Sequence, residues 1–133
     1  MNVTGEFAVE MTPLTCANEG SDGMALARWA LNKTFTGPLQ AVSRGEMLSA
    51  ITEMPGSAGY VALEQVSGTL NNRQGSFVLQ HFGIRSAGSN RLTLEVVPDS
   101  AAGELAGLTG SMAIRIEAGV HFYDFDFELP DAF

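Results

Sequence analysis

The sequence predicts an all-β fold, an eight-stranded antiparallel up-and-down β-barrel with little or no helix, on three observations. Glycine and proline punctuation cuts the chain into short runs rich in β-branched and aromatic residues. None of these runs sustains the i, i+3, i+4, i+7 apolar spacing of a long amphipathic helix. Several alternate apolar and polar residues with the period of two that sets one strand face on a core and the other in water. The 133 residues, 45% hydrophobic, fit one domain over 1–133, large enough to bury roughly two-thirds of its unfolded surface.

The predicted strands, in order, are Gly5–Met11, Ala25–Thr36, Leu39–Ile51, Gly59–Leu70, Gly75–Arg85, Arg91–Val97, Gly110–Glu117 and Val120–Leu129. In the first, Phe7, Val9 and Met11 alternate with Glu6 and Glu10; in the seventh, Met112, Ile114 and Ile116 alternate with Arg115 and Glu117. The eighth sets Tyr123, Phe125, Phe127 and Leu129 against Asp124, Asp126 and Glu128, an acidic row that suits a solvated face better than a calcium site. The three middle strands, Leu39–Ile51, Gly59–Leu70 and Gly75–Arg85, are different, since they mix polar and apolar residues on both faces. One face can line the lumen, and an apolar outer face calls for a partner surface, which predicts a homodimer or higher homo-oligomer.

Among the connections, Thr12–Gly23 is the longest and most polar, Thr52–Ala58 carries Pro55-Gly56, Asn71–Gln74 and Ser86–Asn90 suit hairpins, and Pro98–Glu104 reads as a wider loop. Short connections favour antiparallel neighbours, and eight strands suffice to close a sheet and remove its edges, although a two-sheet sandwich satisfies the same alternation. Glycines at 37, 45, 68, 75, 107 and 110 suit barrel corners. Ser67-Gly68-Thr69-Leu70 before Gly75-Ser76-Phe77 is echoed by Leu105-Ala106-Gly107-Leu108 before Gly110-Ser111-Met112, as two hairpins of similar geometry would be. Leu129 to Phe133 is expected to trail off the barrel.

Charge narrows the partners. Seven Lys and Arg against fifteen Asp and Glu give a net charge of -8, which repels phosphate backbones and anionic lipid head groups, so neither nucleic acid nor a membrane is expected as a partner. Met1-Asn2-Val3 leads directly into patterned sequence, without a basic and then apolar leader or a span of roughly twenty apolar residues, and a cytoplasmic location is expected. Cys16 is the single cysteine, which excludes an internal disulfide and a thiolate metal cluster. No cofactor is implied.

Six blocks carry a family resemblance: Lys33-Thr34-Phe35-Thr36-Gly37, Gly45-Glu46-Met47-Leu48-Ser49-Ala50, Gly56-Ser57-Ala58-Gly59-Tyr60-Val61-Ala62, Gly75-Ser76-Phe77-Val78-Leu79-Gln80-His81, Val96-Val97-Pro98-Asp99-Ser100 and Leu105-Ala106-Gly107-Leu108-Thr109-Gly110-Ser111. In this order, over nearly the whole chain, they resemble the DUF3224 family of small bacterial proteins of unknown function. The resemblance implies an allene oxide cyclase-like, calycin-like β-barrel. Allene oxide cyclase isomerises a fatty-acid epoxide in its lumen, but its catalytic positions do not align onto this chain, so the resemblance carries fold and not activity.

The candidate site residues lie on the middle strands. If the lumen takes Tyr60, Glu64 and Gln80, with Glu46 from the preceding strand, it holds a phenol, an amide and two carboxylates, enough to orient a small ligand or to divide acid and base roles. The plainer reading pairs Glu46 and Glu64 with Arg44, Arg73 or Arg115, or leaves them in water. His81 could act as a general base or be a hydrogen-bonded, half-buried strand residue. His121 opens the last strand beside a turn and is expected to be exposed, and two histidines forty residues apart make no metal site. Trp29 either closes the barrel mouth against a ligand or fills the core. Parity alone leaves open which faces turn inward. The expected function is binding of a small, largely apolar molecule in the lumen. The alternatives are a lumenal isomerase or cyclase using Glu46 or Glu64 and His81, and a solidly packed barrel that acts through its oligomeric surface.

Overall fold

The structure, a computed structural model, describes residues 1–130. Nine strands follow one another: β1 Asn2–Leu14, β2 Ala25–Thr36, β3 Leu39–Ile51, β4 Ala58–Leu70, β5 Arg73–Ser86, β6 Ser89–Val96, β7 Ala102–Gly103, β8 Thr109–Glu117 and β9 Val120–Glu128. Eight of them form a closed antiparallel ring in the order β4-β3-β2-β1-β9-β8-β6-β5, with β5 pairing back onto β4. Every predicted run overlaps one of these eight: two coincide with it, Arg91–Val97 and Val120–Leu129 each pass its end by one residue, and the others fall short of it by one or more. The ninth, two-residue β7 falls in the stretch expected to be a loop and pairs with Gly75 and Ser76 of β5.

Local chemistry sets the turns. Asn71 and Asn72, both with positive φ, make the tight β4–β5 hairpin, and Ala118-Gly119 does the same for β8–β9. Gly68 and Gly110 face inward where a neighbouring backbone passes close; a Cβ at Gly68 would lie 2.6 Å from the Cα of Ala41, and one at Gly110 would lie 2.8 Å from that of Phe127. The sequence echo pairs Gly110 with Gly75, where a Cβ would likewise meet a passing backbone, the Ala102 carbonyl. It stops at the glycines, because Leu105–Leu108 is not a strand.

The two ends of the barrel differ. The lower end holds the β2–β3 and β4–β5 turns and is packed with Phe7, Phe35, Leu39, Val66, Leu70, Phe77, Leu79, Met112, Tyr123, Phe125 and Phe127. Phe77 stacks on Phe125 at 5.7 Å, and Phe35 meets Tyr123 edge-on at 5.8 Å. The Tyr123 hydroxyl accepts from Leu39 N–H at 3.0 Å and donates to the Thr36 carbonyl at 2.9 Å, tying β9 to the β2–β3 turn. Val97 to Leu108 folds back beneath this core: Val97 N–H bonds to the Val78 carbonyl, Glu104 N–H to that of Gln74, and Leu105 and Leu108 are buried. Thus the segment expected as a wider loop, Pro98–Glu104, leads into Leu105–Leu108, and together they form a plug. Leu129 also packs on the core, and Pro130 lies against Gly107, so the chain does not leave the barrel at 129; 131–133 lie outside the described residues.

The upper end is looser. β6 and β8 share only the Leu94–Met112 and Glu95–Ser111 rungs, and β1 pairs with β9 only from Asn2 to Phe7. Above those rungs, side chains that continue the inward parity emerge into solvent: Met11 is 44% exposed, Leu92 43% and Ile116 64%. The inner face is therefore a solid core below and an apolar-rimmed mouth above. Among the described residues no helix is long and apolar enough to cross a membrane.

Candidate functional site

Between the packed core and the mouth the inner face turns polar. Lys33, Ser43, Glu64 and His81 are the four buried polar or charged residues of the described chain. Each holds the inward parity of its strand: Lys33 between Leu31 and Phe35, Ser43 above Ala41, Glu64 between Ala62 and Val66, His81 above Leu79. Lys33 lies opposite Ser43 across the β2–β3 register, and His81 lies opposite Ala62 across β4–β5. For Lys33 on β2 to meet Glu64 on β4, the two must span β3. The β3 residue opposite Glu64 is Gly45, where a Cβ would sit 2.6 Å from the Cα of Glu64. A missing side chain beside a small serine is what lets the carboxylate and the ammonium meet.

Glu64 is the hub. Its Oε2 accepts from Lys33 Nζ at 2.7 Å and lies 2.5 Å from His81 Nε2, and its Oε1 accepts from the Ser43 hydroxyl at 2.8 Å. Its side chain has no exposed surface. Burial alone pushes the carboxyl toward its neutral form. The hydrogen bonds from His81 and Lys33 and the charge of Lys33 outweigh that and hold its pKa down at about 2. A carboxylate can only accept, so His81 carries a proton on Nε2. Lys33 Nζ also stands 5.2 Å from the Phe7 ring centroid, a cation–π contact with the top of the lower core.

The wall above the hub is mixed. The half-buried Tyr60 ring lies 6.2 Å from the His81 ring and packs against Gly83, where any Cβ would run into it. Burial, with the Glu64 charge behind it, raises the Tyr60 phenol above its ordinary pKa. Half-buried Trp29 donates from Nε1 to the Ser49 hydroxyl at 3.2 Å, and Met47 lies opposite Trp29 across the β2–β3 register.

Tyr60, Glu64 and His81 are thus brought together on the inner face, with Trp29 above them. Glu46 and Gln80 are not. Both point outward, because β3 turns its odd-numbered residues inward, β4 its even-numbered ones and β5 its odd-numbered ones again. Exposed Glu46 is hydrogen-bonded by Arg28 Nε at 2.7 Å, which lowers its pKa, so its partner is none of the arginines considered from the sequence, and Glu64 pairs with a lysine instead. Gln80 borders a shallow outer concavity of about 190 Å3 with Phe82, Thr93 and Glu95; a second, of about 550 Å3, lies at the lower end beside Met1, Asn71 and Arg73. Neither is lined by Lys33, Glu64 or His81. His121 is half-buried against Phe7, with ring centroids 5.2 Å apart, rather than exposed. Cys16, in the β1–β2 loop, bonds to the Asn18 carbonyl. Among the described residues no three His, Cys, Asp or Glu side chains converge as a metal-binding group.

Lys33 and Ser43 were missed as site residues. The available signal was a lysine on the same parity as Trp29, Leu31 and Phe35, a position that needs a buried counter-charge.

The depressed carboxyl makes a pH prediction. Because the folded pKa lies below the ordinary 4.5, the stability it contributes is complete above about pH 4.5 and is lost as pH falls toward 2, amounting to roughly 3 kcal/mol. Urea denaturation of the wild type should lose stability more steeply over that interval than Glu64→Gln does. Parallel pH profiles for the two proteins would show that Glu64 is not held ionised.

Comparison with known proteins agrees with this architecture. The family described as a protein of unknown function, DUF3224, matches residues 3–127. A crystal structure of a protein of unknown function from the DUF3224 family of Shewanella oneidensis MR-1 superposes with a TM-score of 0.95 at 60% sequence identity, covering 98% of each chain. No curated protein matches the chain. With its match spanning nearly the full length and a close structural neighbour in the same group, the chain belongs to the DUF3224 family.

Proposed function

We propose that the protein binds a small, largely apolar molecule in the upper half of its barrel, with the Lys33–Ser43–Glu64–His81 cluster as the floor and Trp29, Met47 and Tyr60 as walls. The observation that carries this reading is the cluster itself. Three ionisable side chains buried between an aromatic core and the partly exposed upper end cost desolvation, and the lower barrel already packs without them. Apolar walls with a few convergent polar groups are the usual composition of a small-molecule site.

A second reading, proton transfer on the bound molecule, is favoured by the Glu64–His81 contact, in which a carboxylate fixes the orientation of an imidazole. Glu46 has no part in it, being on the outer surface.

Purified protein should be incubated with cell extract, washed, and its retained small molecules identified by mass spectrometry. Wild type is expected to retain a compound that Met47→Trp, which narrows the mouth, does not. Unchanged compound supports a carrier; conversion that stops in His81→Gln supports the second reading. Identical retention by wild type and Met47→Trp, or retention by neither, would contradict the lumenal site.

The outer face of β3–β5 supports a further part of the proposal, a homodimer. Val42, Leu48, Val61, Leu63 and Phe82 are 46 to 55% exposed there, and Leu48, Val61 and Phe82 are consecutive cross-strand neighbours. At the outward positions of these three strands the only charges are Arg44 and Glu46, so two copies meeting here escape the repulsion that a net charge of -8 imposes elsewhere. Sedimentation at micromolar concentration should give a dimer for wild type and a monomer for Leu63→Glu. A wild-type monomer would contradict the dimer.

A further inference from the structure

The buried cluster also constrains what the molecule must carry, an inference that rests on the lumenal reading above. Glu64 accepts from Lys33, Ser43 and the Nε2–H of His81. Because Lys33 already balances the Glu64 charge, the imidazole needs only the one proton that Nε2 gives to Glu64, and Nδ1 is then the acceptor side of the ring. His81 makes no other hydrogen bond among the described residues, while no fully buried side-chain nitrogen or oxygen among them lacks a partner. Nδ1 is therefore not sealed into the core and is open to a donor from outside the protein.

Charge decides between donors. Lys33 and Glu64 cancel one another at 2.7 Å, so no cation is left over to receive a carboxylate or phosphate and no anion to receive an ammonium. An anionic ligand would require a second positive charge on His81 beside Lys33, in a site where both side chains are at most 6% exposed. A neutral O–H meets Nδ1 without creating a charge. The walls suit the rest of such a molecule, since Trp29 and Met47 offer a polarizable apolar surface.

We propose that the ligand is a neutral hydroxyl compound with an apolar body, an alcohol or phenol whose O–H donates to Nδ1 of His81.

Trp29 is the single tryptophan, so its emission reports on the proposed site directly. Four probes of one chain length separate the possibilities: 1-octanol, its methyl ether, octanoate and octylammonium. Octanol is expected to shift Trp29 emission and to bind about tenfold more tightly than the ether, which cannot donate, the scale of one net hydrogen bond. That advantage should vanish in His81→Gln, whose amide nitrogen can still donate to Glu64 at the place of Nε2 but which sets no acceptor where Nδ1 stood. If His81→Gln does not fold, the comparison of octanol with its ether on the wild type decides alone. Equal binding of octanol and ether, an octanol advantage that survives in folded His81→Gln, or tighter binding of octanoate or octylammonium would overturn the hydroxyl inference and leave the lumenal site standing. Failure of all four to perturb Trp29 would overturn the lumenal site itself.

Discussion

A carboxylate without exposed surface keeps its charge only if the surrounding chain supplies what water would have given. Glu64 receives an ammonium, an imidazole N–H and a hydroxyl from three different strands, β2, β5 and β3. Meeting that requirement constrains the strands. Gly45 must lack a side chain so that Lys33 and Glu64 can span β3, and β2 to β5 must hold a register that aims all four residues inward. Removing one member leaves an unpaired buried charge and is costly, whereas replacing the whole set with apolar groups of similar volume is often neutral or stabilising. Such a cluster is therefore weak support for a barrel already filled below by aromatic side chains. Its position, at the level where the core gives way to the mouth, fits a role toward something that enters.

The barrel divides its labour along its axis. Below Glu64, the Phe77–Phe125 stack, the Tyr123 bonds to the β2–β3 turn and the plug of Leu105 and Leu108 exclude water and fix the ring. Above it, β6 parts from β8 and β1 runs on beyond the end of β9, so inward-parity residues such as Met11, Leu92 and Ile116 reach solvent. A rigid lower half can hold polar groups in place at its upper boundary without a loop to position them, which suits a binding floor.

The fold was legible in the sequence because period-two alternation is clean where one face is wet. The Tyr123-Phe125-Phe127 row and the Asp124-Asp126-Glu128 row separate without ambiguity. The middle strands were harder. Leu48, Val61, Leu63 and Phe82 make their outer face nearly as apolar as the inner one, so parity did not say which side was in, and Gln80 and Glu46 were grouped with Tyr60 and Glu64 although they face outward. In β5 it is His81, not Gln80, that turns to the lumen. Lys33 and Ser43 escaped notice because their meaning depends on register: neither is adjacent to Glu64 in sequence, and only the β2–β3–β4 alignment joins them. The plug escaped for a related reason, since Leu105 and Leu108 lie in turn-forming sequence and show their burial only once the chain has folded back onto β5.

Whether the buried cluster serves a ligand or the fold can be read from one protein. The direct measurement is urea denaturation and 1-octanol binding of a variant that replaces the whole set, Lys33→Met, Ser43→Ala, Glu64→Leu and His81→Phe. A ligand role for the cluster requires a folded protein at least as stable as wild type at neutral pH, with the preference for octanol over its methyl ether gone. A variant that loses several kcal/mol of stability (the roughly 3–5 expected when a buried charge is stranded) would contradict it and make the cluster a structural element of the barrel.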